Sequence, residues 1–163
     1  VGRTFIEPTQ QIRQLGVKLK HNANKEIIKN KRLILVDDSI VRGTTSKKLV
    51  DMLYNAGAKE IDLCISSPPI KHPDYYGIDT PNIKDLIAAN HSNEEIRKII
   101  GVDTLQYLSI EGLYRALGRE KRNEKNPQFT DHCFTGDYPV KPLDQLNQLE
   151  KNNQLSLLSN VRV

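Results

Sequence analysis

Residues 32–50 read "RLILVDDSIVRGTTSKKLV", an apolar run that ends on two adjacent aspartates and passes through a small Gly-Thr-Thr-Ser cluster. Leu33, Ile34, Leu35 and Val36 form a continuous apolar stretch, which predicts a strand buried on both faces. From Thr44 the period becomes helical, with Leu49, Met52, Leu53 and Ala56 on one face and Gly57 at the closing position. A second apolar strand is expected near "EIDLCISS", residues 60–67. Strand, helix and strand in such short succession make a βαβ unit, so the sheet should be parallel and the fold class α/β.

The rest of the chain is less regular. Residues 1–31 mix Gly2, Pro8 and Gly16 with polar residues and read as a loop and a short connecting element. "PPIKHPDYYGIDTPN", residues 68–82, is rich in turn formers. Ser92 with Glu95 forms a capping box that opens a helix through Ile96, Ile99 and Ile100 to Gly101. A short strand near "TLQYLS" and a helix from about Ser109 to Leu117 follow, and residues 119–138 read as loop. Leu143, Leu146 and Leu149 then recur at helical spacing before the chain dissolves into Asn and Gln. The expected organisation is one unit over 1–140 with a peripheral helix and loose tail over 141–163.

The chemistry concentrates at the end of the first strand. Open parallel sheets gather ligands at the carboxyl ends of their strands, where Asp37 and Asp38 stand. Gly43 can take a positive φ, letting the main chain curl so that successive N–H groups face an anion. Thr44, Thr45 and Ser46 add hydroxyls at a helix start, where the dipole also favours phosphate. The paired carboxylates suit sugar hydroxyls or Mg²⁺, a cation that shares its coordination between carboxylate, water and substrate phosphate. A ribose carrying a 5′-phosphate satisfies both halves of the segment. A response-regulator receiver shares "LILVDDS", but it needs a phosphoacceptor aspartate after a later strand and "DLCISSPPI" has none; a Walker P-loop is excluded because Gly-x-x-x-x-Gly-Lys-Ser/Thr is absent. An Asp-Asp turn with a capped helix is the purely structural alternative.

Charge narrows the partners. Residues 1–36 carry eight Lys/Arg against Glu7 and Glu26, whereas the whole chain is only +4, which suits a phosphorylated small molecule or another polyanion. In that basic stretch Phe5 is the one aromatic residue, so there is no stacking platform and no nucleic-acid partner is expected. No apolar run is long enough for a membrane span, no membrane partner is expected, and two cysteines give no disulfide framework, which points to the cytoplasm. "Asp131-His132-Cys133" lacks a second ligand pair, and His21, His72 and His91 show no partners. The chain opens at Val1 and its one methionine is Met52, so a piece of a longer product is expected.

"VDDSIVRGTTS" resembles the phosphoribosyl-pyrophosphate (PRPP) motif of type I phosphoribosyltransferases, and its wording is similar to that of the amidophosphoribosyltransferases. "VGRTFIEPTQ", "GVKLKHNAN", "SSPPIKHPDYYGIDTP", "EEIRKIIGVDTLQYLSIEGL" and "CFTGDYP" carry the resemblance in register over about residues 1–140. It implies a partial type I phosphoribosyltransferase fold, a parallel sheet with flanking helices and with its amino-terminal strands missing. The implied reaction moves ammonia, released from glutamine, onto C1 of PRPP to give 5-phosphoribosylamine, the first committed step of purine synthesis. Asp37 and Asp38 would hold ribose hydroxyls and Mg²⁺, while Ser39, Ile40, Val41, Arg42, Gly43, Thr44 and Thr45 would wrap the 5′-phosphate. Residues 1–10 would belong to a closing loop with Gly2 as hinge, and Arg3, Lys18 and Lys20 would face the departing pyrophosphate. The implied partners are PRPP, ammonia from a glutaminase half that this chain lacks, a purine nucleotide feedback ligand and, for full-length members, further copies of the chain. Some relatives hold a [4Fe–4S] cluster at positions matching Asp74, Thr130 and Cys133; with one thiolate in three, no iron–sulfur cluster is expected. The alternative function is a non-catalytic PRPP- or nucleotide-binding module, or an inactive remnant.

Overall fold

A computed structural model describes residues 23–77, 80 and 82–140. A single helical turn, α1 (Lys25–Ile28), leads into strand β1 (Arg32–Asp37), helix α2 (Thr44–Asn55) and strand β2 (Glu60–Ile65). A 3₁₀ turn (Ile83–Asp85) precedes the short helix α3 (Ile87–Asn90), and α4 (Asn93–Ile100), β3 (Thr104–Tyr107), α5 (Ile110–Ala116) and α6 (His132–Thr135) complete the order. The expected capping box is present, with the Ser92 hydroxyl accepting from the Glu95 N–H and the Glu95 carboxylate accepting from the Ser92 N–H. Gly101 ends α4 at φ 85°, a left-handed conformation that costs glycine little.

The three strands form one parallel sheet in the order β1-β2-β3. Register runs from Arg32 opposite Glu60 to Asp37 opposite Ile65, and from Asp62 opposite Thr104 to Ile65 opposite Tyr107. Strand side chains alternate between faces. Ile61, Leu63, Ile65 and Leu105 therefore point together to one side, where they meet Val50 of α2, Ile96 and Ile100 of α4, and Ile40, Ile87 and Val102. This single apolar layer is the core, and it lies directly beneath the loop between β1 and α2.

Two expectations need correction. The β1 run is not buried on both faces: Leu33 and Leu35 pack against the core, whereas Ile34 is 72% and Val36 67% exposed. α2 and α4 cover only one face of the sheet, and β1 stands at its edge with β2 as its neighbour among the described residues. Within α2 the most buried side chains are Ser46 and Val50, with Leu53 and Tyr54 packed against the core and Ala56 buried just past the helix end; Leu49 and Met52 are half-buried. The loop expected over 119–138 contains the one-turn helix α6. The peripheral helix expected in the tail lies outside the described residues.

Core depth and edge exposure make separable predictions. Ile61→Ala, at a position with no exposed surface, should cost about 2–5 kcal/mol in chemical denaturation. Ile34→Thr, on the open face, should leave stability within about 0.5 kcal/mol.

Candidate functional site

Parallel pairing brings the ends of β1 and β2 together, and the chain crosses over Asp37 in a fixed way. The Asp37 carbonyl accepts from both the N–H and the hydroxyl of Ser66, each at 3.0 Å. Its carboxylate accepts from the Asp38 N–H at 3.0 Å, and the Ser39 hydroxyl donates to Asp38 Oδ1 at 3.0 Å. Asp38 is exposed, so its carboxylate sits at the surface on the carboxyl side of the sheet.

The next residues are anchored from below. Ile40 is 2% exposed and plugs the loop into the core. The Val41 carbonyl accepts from the Ile87 N–H at 2.9 Å, and the Arg42 guanidinium meets Asp85 at 3.3 Å. Gly43 stands at φ 74° immediately before α2, and the Ile87 Cδ1 lies 2.9 Å from where a Cβ would be. Only glycine meets both conditions, a left-handed turn and a close approach. No acidic residue occupies the first turn of α2 and no side chain caps it. The first N–H groups of a helix have no intrahelical acceptor, so they remain for an external anion. Thr44 and Thr45 are exposed at this point, while Ser46 is buried.

The structure thus brings together Asp37, Asp38 and the whole of Ser39–Thr45 around one turn at the carboxyl edge of the sheet. Arg3, Lys18, Lys20 and the closing loop expected over 1–10 lie outside the described residues. Among the described residues no group of three or more His, Cys, Asp or Glu is placed to hold a metal ion. A cation at Asp37 and Asp38 would accordingly take its remaining ligands from substrate and water, which fits the coordination habit of Mg²⁺.

A second polar cluster was not foreseen. His132 Nε2 lies 2.7 Å from Asp74 Oδ2, both side chains about 5% exposed. Tyr76 and Tyr138 flank the imidazole at ring centroid distances of 5.1 Å. The N–H groups of Lys71 and His72 donate to the Cys133 carbonyl at 2.9 and 3.0 Å, and the Tyr138 hydroxyl donates to the Pro73 carbonyl. Beside it Arg122 spans Asp131 at 2.6 Å and Asp137 at 2.7 Å, and Asp131 also accepts from Tyr114 and Thr135. Burial alone would raise the Asp131 carboxyl, but the hydrogen bonds from Arg122, Tyr114 and Thr135 outweigh it and hold it below the ordinary value of 3.8. Burial pushes the Cys133 thiol up, with Asp74 and Asp131 adding to the effect, and so keeps it protonated. Two of the three positions that matched cluster cysteines, Asp74 and Cys133, therefore belong to a hydrogen-bonded clamp between residues 71–76 and 132–138. Their donor set, a carboxylate already bonded to histidine and one protonated thiol, does not fit an iron–sulfur cluster.

An acid-tipped parallel strand turning through glycine into a helix, beside a second strand that ends in Ser-Ser-Pro-Pro, defines an α/β domain of the phosphoribosyltransferase kind. Comparison with known proteins specifies it further. The chain is 58% identical over 160 residues to the amidophosphoribosyltransferase of Rhizobium etli, covering 98% of this chain and 32% of that one. It is 53% identical over 141 residues to the Bacillus subtilis enzyme of the same name, covering 86% of this chain and 29% of that one. Its fold superposes on the solved structure of B. subtilis glutamine PRPP amidotransferase, complexed with ADP and GMP, with a TM-score of 0.70 and 52% identity over 86% of this chain and 30% of that chain. No family model matches the chain. The chain belongs to the amidophosphoribosyltransferase family, and it spans about a third of the length of the curated relatives it matches.

Gly43→Ala should strain the turn and collide with Ile87, lowering stability by about 1–3 kcal/mol in thermal or chemical unfolding. The Asp131 cluster predicts an acid-sensitive component of stability. The depressed carboxyl binds fewer protons in the folded state, so its contribution is present above the ordinary aspartate value of 3.8 and is lost as pH falls below it. Arg122→Gln, which leaves a buried carboxylate without its cation, should cost about 3–5 kcal/mol at neutral pH and flatten that acid limb.

Proposed function

We propose that this chain supplies the phosphoribosyl-binding part of an amidophosphoribosyltransferase. In that reaction ammonia from glutamine displaces pyrophosphate at C1 of PRPP, giving 5-phosphoribosylamine, the committed step of purine synthesis. The observation that carries the reading is the turn at Gly43, which sets Asp37 and Asp38 on one side and the uncapped start of α2 on the other, in a chain 58% identical to an enzyme of this name.

Each side of the turn has its own task. The main-chain N–H groups of Ser39–Thr45 and the hydroxyls of Thr44 and Thr45 take the 5′-phosphate, while Asp37 and Asp38 accept from the ribose hydroxyls. Holding the sugar at both ends fixes C1 for attack, and the carboxylates stabilise positive charge developing on the ring. Mg²⁺, which the two carboxylates would hold, supplies charge neutralisation for pyrophosphate when bound. Arg3 is assigned to the same anionic end. The unit over 1–140 forms the transferase part and 141–163 a peripheral tail. Ammonia comes from a glutaminase half, a purine nucleotide serves as feedback ligand, full-length molecules associate with further copies, and the setting is cytoplasmic. Support for the nucleotide comes from the ADP and GMP bound by the B. subtilis relative; two free cysteines, Cys64 and Cys133, suit a reducing compartment.

Titration calorimetry with PRPP and Mg²⁺ tests the reading. The chain should bind, and Asp37→Asn with Asp38→Asn should weaken binding by roughly tenfold or more, the expected effect of losing charged hydrogen-bond acceptors. Formation of 5-phosphoribosylamine from ammonia, with the remaining portion of a relative supplied in trans, separates an enzyme part from a binding module. Binding without turnover would favour the module, and absence of binding would refute the assignment.

A further inference from the structure

The loop around Gly43 is held by a segment to which the functional reading gives no part. Asn90 donates from its side-chain amide to three main-chain carbonyls, those of Ile83 at 3.0 Å, Lys84 at 3.4 Å and Leu86 at 2.7 Å. Asn82 accepts from the Lys84 N–H at the other end of the same turn. Leu86, Ile87 and Ala88 are buried beneath. A segment of only nine residues is in this way made rigid from both ends, and it meets the phosphate-facing loop at three points. The Ile87 N–H reaches the Val41 carbonyl, Ile87 Cδ1 closes on Gly43, and Asp85 takes the Arg42 guanidinium.

The consequence follows from the geometry of one peptide unit. In a trans peptide the C=O and the N–H point in opposite directions. The Val41 carbonyl accepts from the Ile87 N–H of α3, so the Arg42 N–H of the same peptide unit points away from that bond. Asp85 meanwhile holds the Arg42 guanidinium at 3.3 Å. We propose that Asn90 and Asp85 are positioning residues for anion binding: they hold the 82–90 segment so that its Ile87 hydrogen bond fixes the Arg42 N–H as a donor to the sugar phosphate. The inference rests on the phosphoribosyl reading for the identity of the ligand. The orientation of the loop can be measured without any ligand.

Nitrogen-15 NMR of the full chain tests it, with Asn90→Ala and Asp85→Asn as variants and Asp85→Glu as rescue. In the ligand-free Asn90→Ala chain, exchange of the Ile87 amide should rise about tenfold, as expected for loss of a net hydrogen bond, and backbone order at Val41–Gly43 should fall. The protection of Leu63 and Ile65 should be unchanged, which separates positioning from a general loss of stability. In Asp85→Asn the Arg42 side-chain signals should broaden, and Asp85→Glu should restore them. Titration with ribose 5-phosphate should shift the Arg42 amide proton in the wild type, and the dissociation constant should rise about tenfold in Asn90→Ala. Unchanged Ile87 exchange and loop order in Asn90→Ala overturn the inference while leaving the phosphoribosyl reading intact. A wild-type chain that binds neither ribose 5-phosphate nor PRPP overturns that reading instead, with the exchange data still deciding whether Asn90 holds the loop. Uniform loss of protection at Leu63, Ile65 and Ile87 would reduce Asn90 to a stability residue and overturn the proposal.

Discussion

A chain leaving a central layer of side chains must reverse into a helix without burying unpaired peptide groups, and in this fold everything turns on how residues 37–44 manage it. Ser66 satisfies the Asp37 carbonyl twice, Ile87 satisfies Val41, and Gly43 takes the left-handed conformation that starts α2. The Asp37 and Val41 carbonyls are thereby paired within the protein, and no side chain caps the start of α2. Backbone groups need partners when they lose water, so an uncapped helix start at the surface is disposed toward anions before any side chain is considered. The aspartates then add the opposite preference next door. Under the proposed function, hydroxyls or a metal would lie on one side and phosphate on the other.

The clamp around Asp74 and His132 has a different character. Its chemistry is of pairing. Arg122 between two aspartates, and His132 between two tyrosines with a carboxylate on Nε2, tie together segments that would otherwise be loops. At two of the positions that the resemblance implies for cluster ligands, Asp74 and Cys133, this chain has a buried carboxylate–histidine bond and a main-chain clamp. The elevated thiol of Cys133 agrees with that substitution, since a protonated thiol is a poor ligand and a serviceable packing group.

Much of this was legible from local sequence because the relevant signals are local. The change from an apolar run to a 3.6-residue period marks β1 and α2, and Ser92 with Glu95 announces α4 within four residues. The turn at Gly43 was legible for the same reason, being a contiguous stretch in which glycine takes the left-handed conformation at the start of α2. What failed was anything settled at a distance. A four-residue apolar run cannot say which faces neighbours will cover, so Ile34 and Val36 were misplaced. Asp74 and His132 lie 58 residues apart, and no periodicity connects them. Asn90 carries no signal of its own in the sequence, because the three carbonyls that it gathers are set by the fold.

The bond between Asp74 and His132 closes a circuit of chain that contains α3, α4, β3 and α5. Closing a long circuit is entropically costly only once, because the penalty grows with the logarithm of its length. Contacts formed inside the ring afterwards start from ends already held together. Once shut, a fastener of this kind leaves the perimeter in place when any single enclosed element is freed. Among the described residues, the buried histidine thus ties together the two ends of a ring that holds one of the three strands.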